Sequence, residues 1–386
     1  MTPTSSTPMR IVHVIESFAG GSIVLIILLA RQLRHCQHIV IHGERSNEQA
    51  KEQVRRLFGE RVEFHHWQGA QREINPAKDW QAYRTLLGQL RTLAPAVLHL
   101  HCAKAGFLGR MAAAALHLKA CIYSPQAAPF LRQDISSSKR KLYIALEKLA
   151  ARRAGTVVAT SPSEQEAFRQ LDIPALCIPN GVEVQPEAPS SKVTIEGPLR
   201  IVTVGRLTEQ KNPSEFARIA RHFQGRKDIA FEWIGDGELR EEVARAGVHI
   251  SGWCPHGEVM EKVRQADVYL STALWEGLPF AVLEAMSLAK PLLLRDCVGN
   301  RDCVKSPHNG QLFTRTEDAI HWLGEWRCQA SQLDDMGQAS WRLCRERYHI
   351  EDIGRRFDRL YQQMAAQPLG LQSQARQWDT AATPRR

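Results

Sequence analysis

Short apolar runs alternate with helix-like patterns along the first half of the chain. The run Ile11-Val12-His13-Val14-Ile15 is typical of a buried strand, and an apolar helix pattern follows it from Gly20-Gly21-Ser22 to about Arg34. Further apolar runs predict strands over 39–42, 96–101, 121–124 and 156–160, with helices over 105–117 and 138–153. Strands that alternate with helices in this way predict a parallel, doubly wound sheet.

The pattern is interrupted and then restarts in the second half. Residues 186–192 (Pro-Glu-Ala-Pro-Ser-Ser-Lys) have the composition of a linker. Beyond them, apolar runs predict strands over 199–205, 229–235, 248–252, 268–271 and 291–294, with helices over 213–223 and 239–246. The chain is therefore predicted to be an α/β protein with two doubly wound, Rossmann-like domains that face a cleft. Ligands of such sheets bind beyond the carboxyl ends of the strands.

The same patterns predict the domain boundaries. We expect an N-terminal domain over 1–185, a linker over 186–198 and a C-terminal domain over 199–350. A last helix, 351–366, is expected to pack back toward the first domain, and the polar residues 367–386 are expected to form a disordered tail. A length of 386 residues suits two domains better than one core.

The stretch Trp275 to Glu284 carries two carboxylates across a predicted boundary between a loop and a helix. A Gly and a Pro disfavour helix at its start, whereas the residues from Ala281 onward favour it, so Glu276 is placed on the loop and Glu284 in the helix. The N–H groups of a helix N-terminus bind phosphate or hydroxyl-rich ligands, and carboxylates bind vicinal hydroxyls. The stretch predicts a nucleotide-sugar site. An acidic residue before a helix, followed by a solvated glutamate, would give the same pattern.

Two basic residues follow the first predicted strand of the second half. Gly205 and Arg206 end that strand, and Lys211 lies just before the next helix. A guanidinium and an ammonium at the carboxyl end of a strand are suited to hold a diphosphate and to neutralise the charge of a departing one. Two solvated basic residues on a loop are the alternative. Gly20-Gly21 and Gly235-Asp236-Gly237 permit close backbone approach, although ordinary turns explain them as well.

Polar side chains also end two predicted strands of the first half. His99, His101 and Lys104 lie after one strand, and Gln126 follows Tyr123-Ser124-Pro125 after the next. Positions at these strand ends are expected to face a ligand. A metal site would require a third ligand, which no spacing indicates, so we expect neutral structural histidines and no metal.

Composition narrows the class of protein. The hydrophobic fraction of 44% and the charged fraction of 24% are typical of a globular protein. The longest apolar segment, 23–30, is shorter than the roughly 20 residues that span a bilayer. The N-terminus lacks the basic segment of a signal peptide, and nine cysteines without a C-x-x-C pair indicate a reducing, cytoplasmic location.

The net charge of +9 lies in the first half of the chain. Residues 1–185 contain 23 Lys or Arg and 14 Asp or Glu, whereas residues 186–386 contain 27 of each. This asymmetry favours an anionic partner, for which we expect the inner face of the plasma membrane; a basic surface without function is the alternative. Nucleic acid is not expected as a partner, because the sequence contains no recognised nucleic-acid module.

Taken in order, these landmarks resemble glycosyltransferase family 4, the retaining, nucleotide-sugar-dependent enzymes of the GT-B fold. The similarity runs from Ile11 to about Met364. The motifs that carry it are Gly20-Gly21, Ser161-x-Ser163-Glu164, Asn180-Gly181-Val182, Gly205-Arg206-Leu207 with Lys211, Gly235-x-Gly237, Gly252, Glu276 to Glu284, and Val298 to Asp302. The segments His99 to Gly106 and Tyr123 to Phe130 are similar to the members that build bacterial surface polysaccharides.

The resemblance implies a role for each matching residue. Arg206 and Lys211 would hold the donor diphosphate, Glu284 would bind the ribose hydroxyls and Glu276 would orient the donor sugar. The first domain would bind the acceptor, a lipid-linked glycan, and the second the nucleotide sugar, without a metal or other cofactor. The further contacts that the resemblance implies are Gly21, Gly205 and Gly235, amide groups near Phe280 and Ala281, and the side chains of His101, Lys104 and Gln126.

One residue departs from the family pattern. Gln126 stands where the family commonly has a histidine that contacts the donor sugar, and glutamine cannot carry a proton. A non-catalytic nucleotide-sugar-binding subunit of a polysaccharide assembly complex is therefore a second hypothesis. A nucleotide-sugar 2-epimerase shares the fold but is not expected to have the motif from Glu276 to Glu284. A dehydrogenase is disfavoured, because no G-x-G-x-x-G follows a predicted strand.

Overall fold

The chain forms two compact units. The structure, a computed structural model, describes residues 8–16, 21–43, 54–59, 61–71, 74–189, 197–329 and 331–366. The first unit comprises Met1–Phe130, Ser136–Pro179 and Glu351–Arg386, and the second comprises Leu131–Ile135 and Asn180–Ile350. Each unit contains one parallel sheet, so the predicted α/β class with two parallel-sheet domains is confirmed.

Seven parallel strands form the sheet of the first unit. They are β1 (Arg10–Ile15), β2 (Gln37–His42), β3 (Val62–His66), β4 (Val97–His101), β5 (Cys121–Ser124), β6 (Thr156–Ala159) and β7 (Ala175–Cys177). Their spatial order is β3-β2-β1-β4-β5-β6-β7. The central strands β1 and β4 are buried along nearly their whole length, which explains why they are continuous apolar runs in the sequence.

Helices connect these strands. They are α1 (Gly21–Gln32), α2 (Pro76–Leu93), α3 (Ala103–Ala115), α4 (Ser137–Arg153), α5 (Pro162–Arg169) and the C-terminal helix (Ile350–Ala366). The side chains of Asn75, Ser136 and Ser161 each accept a hydrogen bond from a backbone N–H in the first turn of α2, α4 and α5. These local caps determine where the three helices begin.

The second unit contains six parallel strands in the order β10-β9-β8-β11-β12-β13. The strands are β8 (Leu199–Val204), β9 (Ile229–Ile234), β10 (His249–Gly252), β11 (Val268–Ser271), β12 (Leu292–Arg295) and β13 (Gly310–Phe313). The helices are α6 (Pro213–His222), α7 (Arg240–Ala244), α8 (His256–Gln265), α9 (Phe280–Ser287), α10 (Asn300–Cys303), α11 (Thr316–Cys328) and α12 (Ser331–Tyr348).

The second unit begins earlier in the chain than the linker predicted over 186–198. The backbone N–H of Val182 donates to the carbonyl of Tyr348 (2.9 Å), and the N–H of Ile350 donates to the carbonyl of Val182 (2.9 Å). The side-chain amide of Asn180 donates to the carbonyl of Leu278 (2.8 Å). These bonds attach residues 180–182 to the second unit, whose contacts therefore begin at Asn180, within the range expected for the N-terminal domain. Part of the predicted linker, 190–196, and the predicted tail, 367–386, lie outside the described residues.

Two further observations concern membrane-spanning helices and disulfides. Among the described helices, none combines the length and the apolar composition that crossing a membrane requires. None of the nine cysteines, all of which lie within the described ranges, takes part in a disulfide.

Candidate functional site

The loops after β8 and β11 leave the second sheet side by side. These two parallel strands are neighbours, and the strand order runs outward from them in both directions. Such a topological switch point opens a crevice at the carboxyl ends of the strands, where ligands bind in doubly wound sheets. The loop after β8 contains Gly205, Arg206 and Lys211, and the loop after β11 contains Glu276.

Two glycines bring the ends of β8 and β9 close together. The N–H of Gly205 donates to the carbonyl of Ile234 (3.0 Å), and the carbonyl of Gly205 accepts from Nε1 of Trp233 (2.8 Å). A Cβ on Gly235, whose φ is +137°, would lie only 2.1 Å from the carbonyl oxygen of Gly205. Close backbone approach therefore requires glycine at position 235.

Lys211 and Glu276 form an ion pair at the switch point. Nζ of Lys211 lies 2.6 Å from Oε1 of Glu276. The hydroxyl of Thr272 donates to the carbonyls of Lys211 (2.8 Å) and Asn212 (3.0 Å), which fixes the lysine loop against the end of β11. The side chain of Lys211 also passes over Gly205, where a Cβ would lie 3.1 Å from its Cε. The two loops thus hold a cation and an anion together at the carboxyl ends of β8 and β11.

Arg206 lies on the same loop as Lys211. It is half-buried, and its carbonyl accepts a hydrogen bond from the N–H of Thr208 (2.8 Å). The structure therefore places the two predicted diphosphate-binding cations on one short segment at the carboxyl end of β8.

The helix predicted after Glu276 is α9, whose N-cap is Pro279. The N–H groups of Val282 and Leu283 donate to the carbonyl of Pro279 (3.1 and 3.2 Å), so the helix begins at Phe280. No acidic residue lies in its first turn. The N–H groups of Phe280 and Ala281 are positioned at the positive end of the helix dipole, where phosphate or hydroxyl oxygens bind.

Glu284 is paired with a histidine that the sequence analysis did not single out. Nε2 of His256 lies 2.9 Å from Oε1 of Glu284. The carboxylate side chain is 17% exposed, whereas the imidazole is 71% exposed. His256 begins α8, far from Glu284 in the sequence, and no local pattern indicated the contact. Because the imidazole of His256 is exposed, a hydroxyl group of a ligand is able to replace it as the partner of Glu284.

Gly299 supports the loop that carries Glu276. Its φ is +85°, and a Cβ there would lie 2.4 Å from the carbonyl oxygen of Gly277 and 3.1 Å from Cβ of Glu276. The next residue, Asn300, is buried and donates from its side chain to the carbonyl of Arg295 (3.0 Å). The segment Val298 to Asp302 therefore packs directly against the loop of Glu276, which gives that motif a physical role.

The first unit has an equivalent switch point between β1 and β4. Gly21 is exposed at the first residue of α1, which follows β1, and Gly20 lies outside the described residues. His101 ends β4, and Lys104 lies in the first turn of α3. Nζ of Lys104 is 2.5 Å from Oδ1 of Asp79 in α2. The ammonium of Lys104 is therefore neutralised inside the unit.

Three histidines form a hydrogen-bonded chain on one face of the first sheet. Nε2 of His38 lies 3.1 Å from the carbonyl oxygen of Leu33, Nδ1 of His38 lies 3.1 Å from Nε2 of His13, and Nδ1 of His13 lies 3.0 Å from Nε2 of His101. A carbonyl oxygen only accepts, so His38 donates to Leu33, His13 donates to His38 and His101 donates to His13. Nδ1 of His101 remains as a buried acceptor without a partner among the described residues.

The protonation states follow from burial. Burial is the main cause that lowers the pKa of His101 to about 3 and that of His38 to about 4. It also lowers the pKa of His13 and of His99 well below the ordinary value, with a further contribution from His101 in each case. The rings are therefore neutral at physiological pH, which is the state that the hydrogen-bond chain requires.

His13 forms a second group of three with His99 and His101, which the spacing of His99 and His101 in the sequence did not indicate. It pairs in register with His99 across β1 and β4, and ligand atoms of the three residues lie within 4.8 Å of one another. The nitrogens of His99 contact the hydroxyls of Tyr361 (2.7 Å) and Ser124 (2.9 Å). Apart from Nδ1 of His101, each ring nitrogen of His13, His99 and His101 has a hydrogen-bond partner.

Gln126 lies in a turn after β5 with an unusual backbone. Its φ is +56° and that of Ala127 is +80°, so two consecutive residues with a Cβ adopt the left-handed conformation. Gln126 itself is half-buried, whereas Pro125 and Ala128 on either side of the turn are buried. Because this conformation is unfavourable for both residues, neighbouring groups have to stabilise the turn.

The chain matches known families over most of its length. Residues 10–181 match the glycosyl transferase 4-like domain, and residues 184–325 match glycosyl transferases group 1. The chain is 28% identical over 271 residues to the UDP-Gal:alpha-D-GlcNAc-diphosphoundecaprenol alpha-1,3-galactosyltransferase of Escherichia coli, covering 63% of this chain and 68% of that protein. It is 22% identical over 327 residues to an uncharacterized 41.2 kDa protein in the cps region of Klebsiella pneumoniae, covering 81% and 87%.

Solved structures share the fold of both units. Sucrose-phosphate synthase from Thermosynechococcus elongatus has a TM-score of 0.75 at 13% identity and covers 93% of this chain and 99% of its own. Anabaena Alr3699/HepE in complex with UDP and glucose has a TM-score of 0.73 at 15% identity, with coverages of 91% and 98%. At these identities the similarity shows the fold alone. The two family matches, together with this fold, show that the chain belongs to glycosyltransferase family 4 and has the GT-B fold.

Proposed function

We propose that the protein is a retaining glycosyltransferase that moves a sugar from a nucleotide-diphosphate sugar to a hydroxyl of a lipid-linked glycan. The pathway would be the synthesis of a cell-surface polysaccharide or lipopolysaccharide. The observation that carries this proposal is the ion pair of Lys211 and Glu276 at the switch point between β8 and β11, on the loops that also carry Arg206. This is the edge of a doubly wound sheet at which nucleotides bind.

The donor would be held by groups of the second unit. Arg206 and Lys211 would bind the diphosphate, together with the N–H groups of Phe280 and Ala281 at the start of α9. Glu284 would accept hydrogen bonds from the ribose hydroxyls in place of His256. Glu276, oriented by Lys211 and by the packing of Gly299, would bind hydroxyls of the donor sugar.

The pairing of the carboxylates argues against a double-displacement reaction. In retaining hydrolases one carboxylate attacks the sugar and a second one transfers protons. Here Glu276 is paired with Lys211 and Glu284 with His256, and we assign both carboxylates to binding of the donor. In the reaction that we propose, the bond from the anomeric carbon to the diphosphate breaks, and a bond to the acceptor oxygen forms on the same face. The acceptor proton moves to the departing phosphate oxygen, whose charge Arg206 and Lys211 stabilise.

The relatives support a lipid-linked acceptor and a uridine nucleotide. The printed name of the Escherichia coli relative describes transfer of galactose from UDP-Gal to a diphosphoundecaprenol-linked sugar. Another protein of the same fold is named a lipopolysaccharide outer core galactosyltransferase, with a TM-score of 0.66 at 18% identity. We therefore propose a UDP-hexose as the first donor to assay and an undecaprenyl-diphosphate glycan as the first acceptor.

The deciding experiment offers the purified protein a panel of nucleotide sugars with a lipid extract of the cell envelope. Mass spectrometry identifies the product, and NMR of its anomeric proton gives the configuration. We expect one donor to be used with retention, and EDTA to leave the rate unchanged, because no metal is proposed. An inverted product would contradict the mechanism, and epimerisation of the donor without transfer would favour the epimerase.

Gln126→His separates a catalyst from a non-catalytic subunit. If the protein is a catalyst with an altered donor contact, the wild type turns over and the variant changes rate or donor preference. If the protein binds nucleotide sugar without turnover and the histidine restores transfer, the non-catalytic hypothesis is correct. A matched control is Gln224→His, which alters an exposed glutamine in the second unit.

We also propose that α4 attaches the protein to the inner face of the plasma membrane. Spacings of four and three residues place five exposed side chains on one stripe of this helix, namely Ser138, Leu142, Ala145, Leu149 and Arg152. Leu142 is 47% exposed and Leu149 is 41% exposed. The helix contains six Lys or Arg, and its one acidic residue, Glu147, is buried against Arg110. Exposed leucines among cations suit an anionic lipid surface.

Sedimentation with lipid vesicles tests this attachment. We expect binding to vesicles that contain phosphatidylglycerol at low salt, and weak binding to phosphatidylcholine vesicles. Leu142→Ser with Leu149→Ser should release the protein, whereas Leu57→Ser, which alters another exposed leucine, should not. Binding that is the same for both variants and the wild type would contradict a role for α4.

A further inference from the structure

The turn of Gln126 and Ala127 requires an external support. Both residues have positive φ values, +56° and +80°, although both carry a Cβ. Residues of this kind adopt the left-handed conformation in pairs only where neighbouring groups hold them there. The turn lies between β5 and the buried pair Pro129 and Phe130.

Glu164 provides this support. Its Oε1 accepts hydrogen bonds from the N–H groups of Ala127 (3.0 Å) and Ala128 (2.9 Å), the two residues that follow Gln126. Its Oε2 accepts from the N–H of Thr160 (2.8 Å) and from the hydroxyl of Thr160 (2.9 Å). One carboxylate thus joins the turn after β5 to the start of α5.

The position of Glu164 in α5 differs from that of an ordinary capping residue. Ser161 caps the helix and accepts from the N–H of Glu164 (3.2 Å), which is half of a capping box. In a complete box the glutamate would bond back to the N–H of the capping residue itself. Here its oxygens bond to Thr160 and to the turn instead, so the helix cap alone does not explain the glutamate.

Burial makes these hydrogen bonds costly to lose. The side chain of Glu164 is completely buried. Burial raises the pKa of its carboxyl, and the hydrogen bonds from Thr160, Ala128 and Ala127 oppose that rise. Two donors on each oxygen satisfy the carboxylate without a cation, and they leave the glutamate little freedom to move.

We propose that Glu164 is a positioning residue for the transfer reaction, which fixes the left-handed turn and thereby sets the orientation of the side chain of Gln126. The proposal rests on the proposed function, from which the role of Gln126 is taken. The proposal gives a role to Glu164 of the motif Ser161-x-Ser163-Glu164. Glu164 itself is buried and acts through Gln126.

A double-mutant cycle on kcat/KM tests the coupling. The variants are Gln126→Ala, Glu164→Ala and the double variant. If Glu164 acts through Gln126, Glu164→Ala lowers kcat/KM about 10²-fold in the wild type but less than about threefold in the Gln126→Ala background. Glu166→Ala, on the exposed side of the same helix, is the matched control and should leave kcat/KM within about twofold of wild type. Independent, additive losses would overturn the proposal.

Ala127→Gly controls for a general loss of structure. Glycine adopts positive φ without strain, so Glu164→Ala with Ala127→Gly should recover much of the thermal stability that Glu164→Ala loses. The turn is then unstrained but still lacks its hydrogen bonds to Glu164, so kcat/KM should stay low. Recovery of full activity together with stability would show that Glu164 matters only for folding, and would overturn the positioning role.

Hydrogen exchange keeps this test separate from the proposed function. The amides of Ala127 and Ala128 should exchange faster in Glu164→Ala than in the wild type, with no change in Glu166→Ala, whether or not the wild type transfers sugar. A wild type without turnover would contradict the proposed function while exchange still reports on the turn. Unchanged exchange at these two amides in a folded Glu164→Ala protein would overturn the inference about Glu164.

Discussion

The ammonium of Lys211 lies 2.6 Å from the carboxylate of Glu276, at the ends of two neighbouring parallel strands. The side chains are 24% and 9% exposed, so the pair is partly shielded from water and its attraction is stronger than that of a surface pair. Removing Lys211 leaves the buried carboxylate of Glu276 without compensation, and removing Glu276 leaves the half-buried ammonium of Lys211 without it. The pair therefore joins the loops after β8 and β11 at the place where we propose that the diphosphate binds.

Arg206→Ala and Lys211→Ala should each lower turnover by about 10²- to 10³-fold. Each variant lacks a positive side chain that we propose to stabilise the charge of the departing diphosphate. The measurement is the rate of nucleotide release at saturating donor and acceptor. Arg221→Ala, an exposed arginine of α6 in the same unit, is the control and should have wild-type turnover. Near-normal turnover in Arg206→Ala would refute the assignment of the diphosphate site.

Glu284→Gln should raise the KM for the donor by about tenfold or more with a smaller change in kcat. A charged acceptor for the ribose hydroxyls is lost, and the ribose does not take part in bond breaking. Glu258→Gln alters an exposed carboxylate of α8 and should leave KM unchanged. His256→Ala removes the imidazole that competes for Glu284, so its donor KM should not rise. A wild-type KM in Glu284→Gln would exclude the ribose role.

Gly235→Ala should destabilise the protein by roughly 2 kcal/mol or more, since the added Cβ meets the carbonyl of Gly205 at a positive φ. The measurement is the free energy of unfolding in urea. Gly324→Ala is a matched control within α11, where a Cβ meets no atom within 4 Å, and it should be about 0.5–1 kcal/mol more stable than wild type. Equal stabilities of the two variants would contradict the close approach of β8 and β9.

The histidine chain predicts a loss of stability in mild acid. The unfolded chain binds protons at a histidine pKa of about 6.5. Folding lowers the pKa of His38 to about 4 and that of His101 to about 3, mainly through burial. Between pH 6.5 and 4 the unfolded state therefore binds more protons, and each such histidine lowers the free energy of unfolding by up to about 1.4 kcal/mol per pH unit as pH falls.

Urea unfolding at pH 7 and pH 5 measures this effect. His38→Gln should show a shallower loss of stability between the two values than wild type, because one of the protonating groups is absent. His321→Gln alters an exposed histidine and should retain the wild-type dependence. If His38→Gln has the same pH dependence of the free energy of unfolding as the wild type, the hydrogen-bonded histidines do not control acid stability.

Local patterns were sufficient for the elements that are buried on both faces or capped by short motifs. The predicted helices over 105–117 and 138–153 correspond to α3 and α4, and the predicted strand over 268–271 is β11. The strand β3 (Val62–His66) was not predicted, because it lies at the edge of the sheet and mixes exposed and half-buried residues. The bonds that attach Asn180 and Val182 to the second unit were not predicted, since their partners, Leu278 and Tyr348, are far away in the sequence.

The sequence by itself determined the two parallel sheets and the residue types at the ends of their strands, because apolar periodicity and glycine placement are local properties. Only the tertiary structure decided which of those residues meet. Strand order brings Lys211 to Glu276, helix packing brings His256 to Glu284, and register places His13 beside His99. The two bonds that Glu164 accepts from Ala127 and Ala128 are of the same kind, since they join a turn and a helix that no local pattern connects.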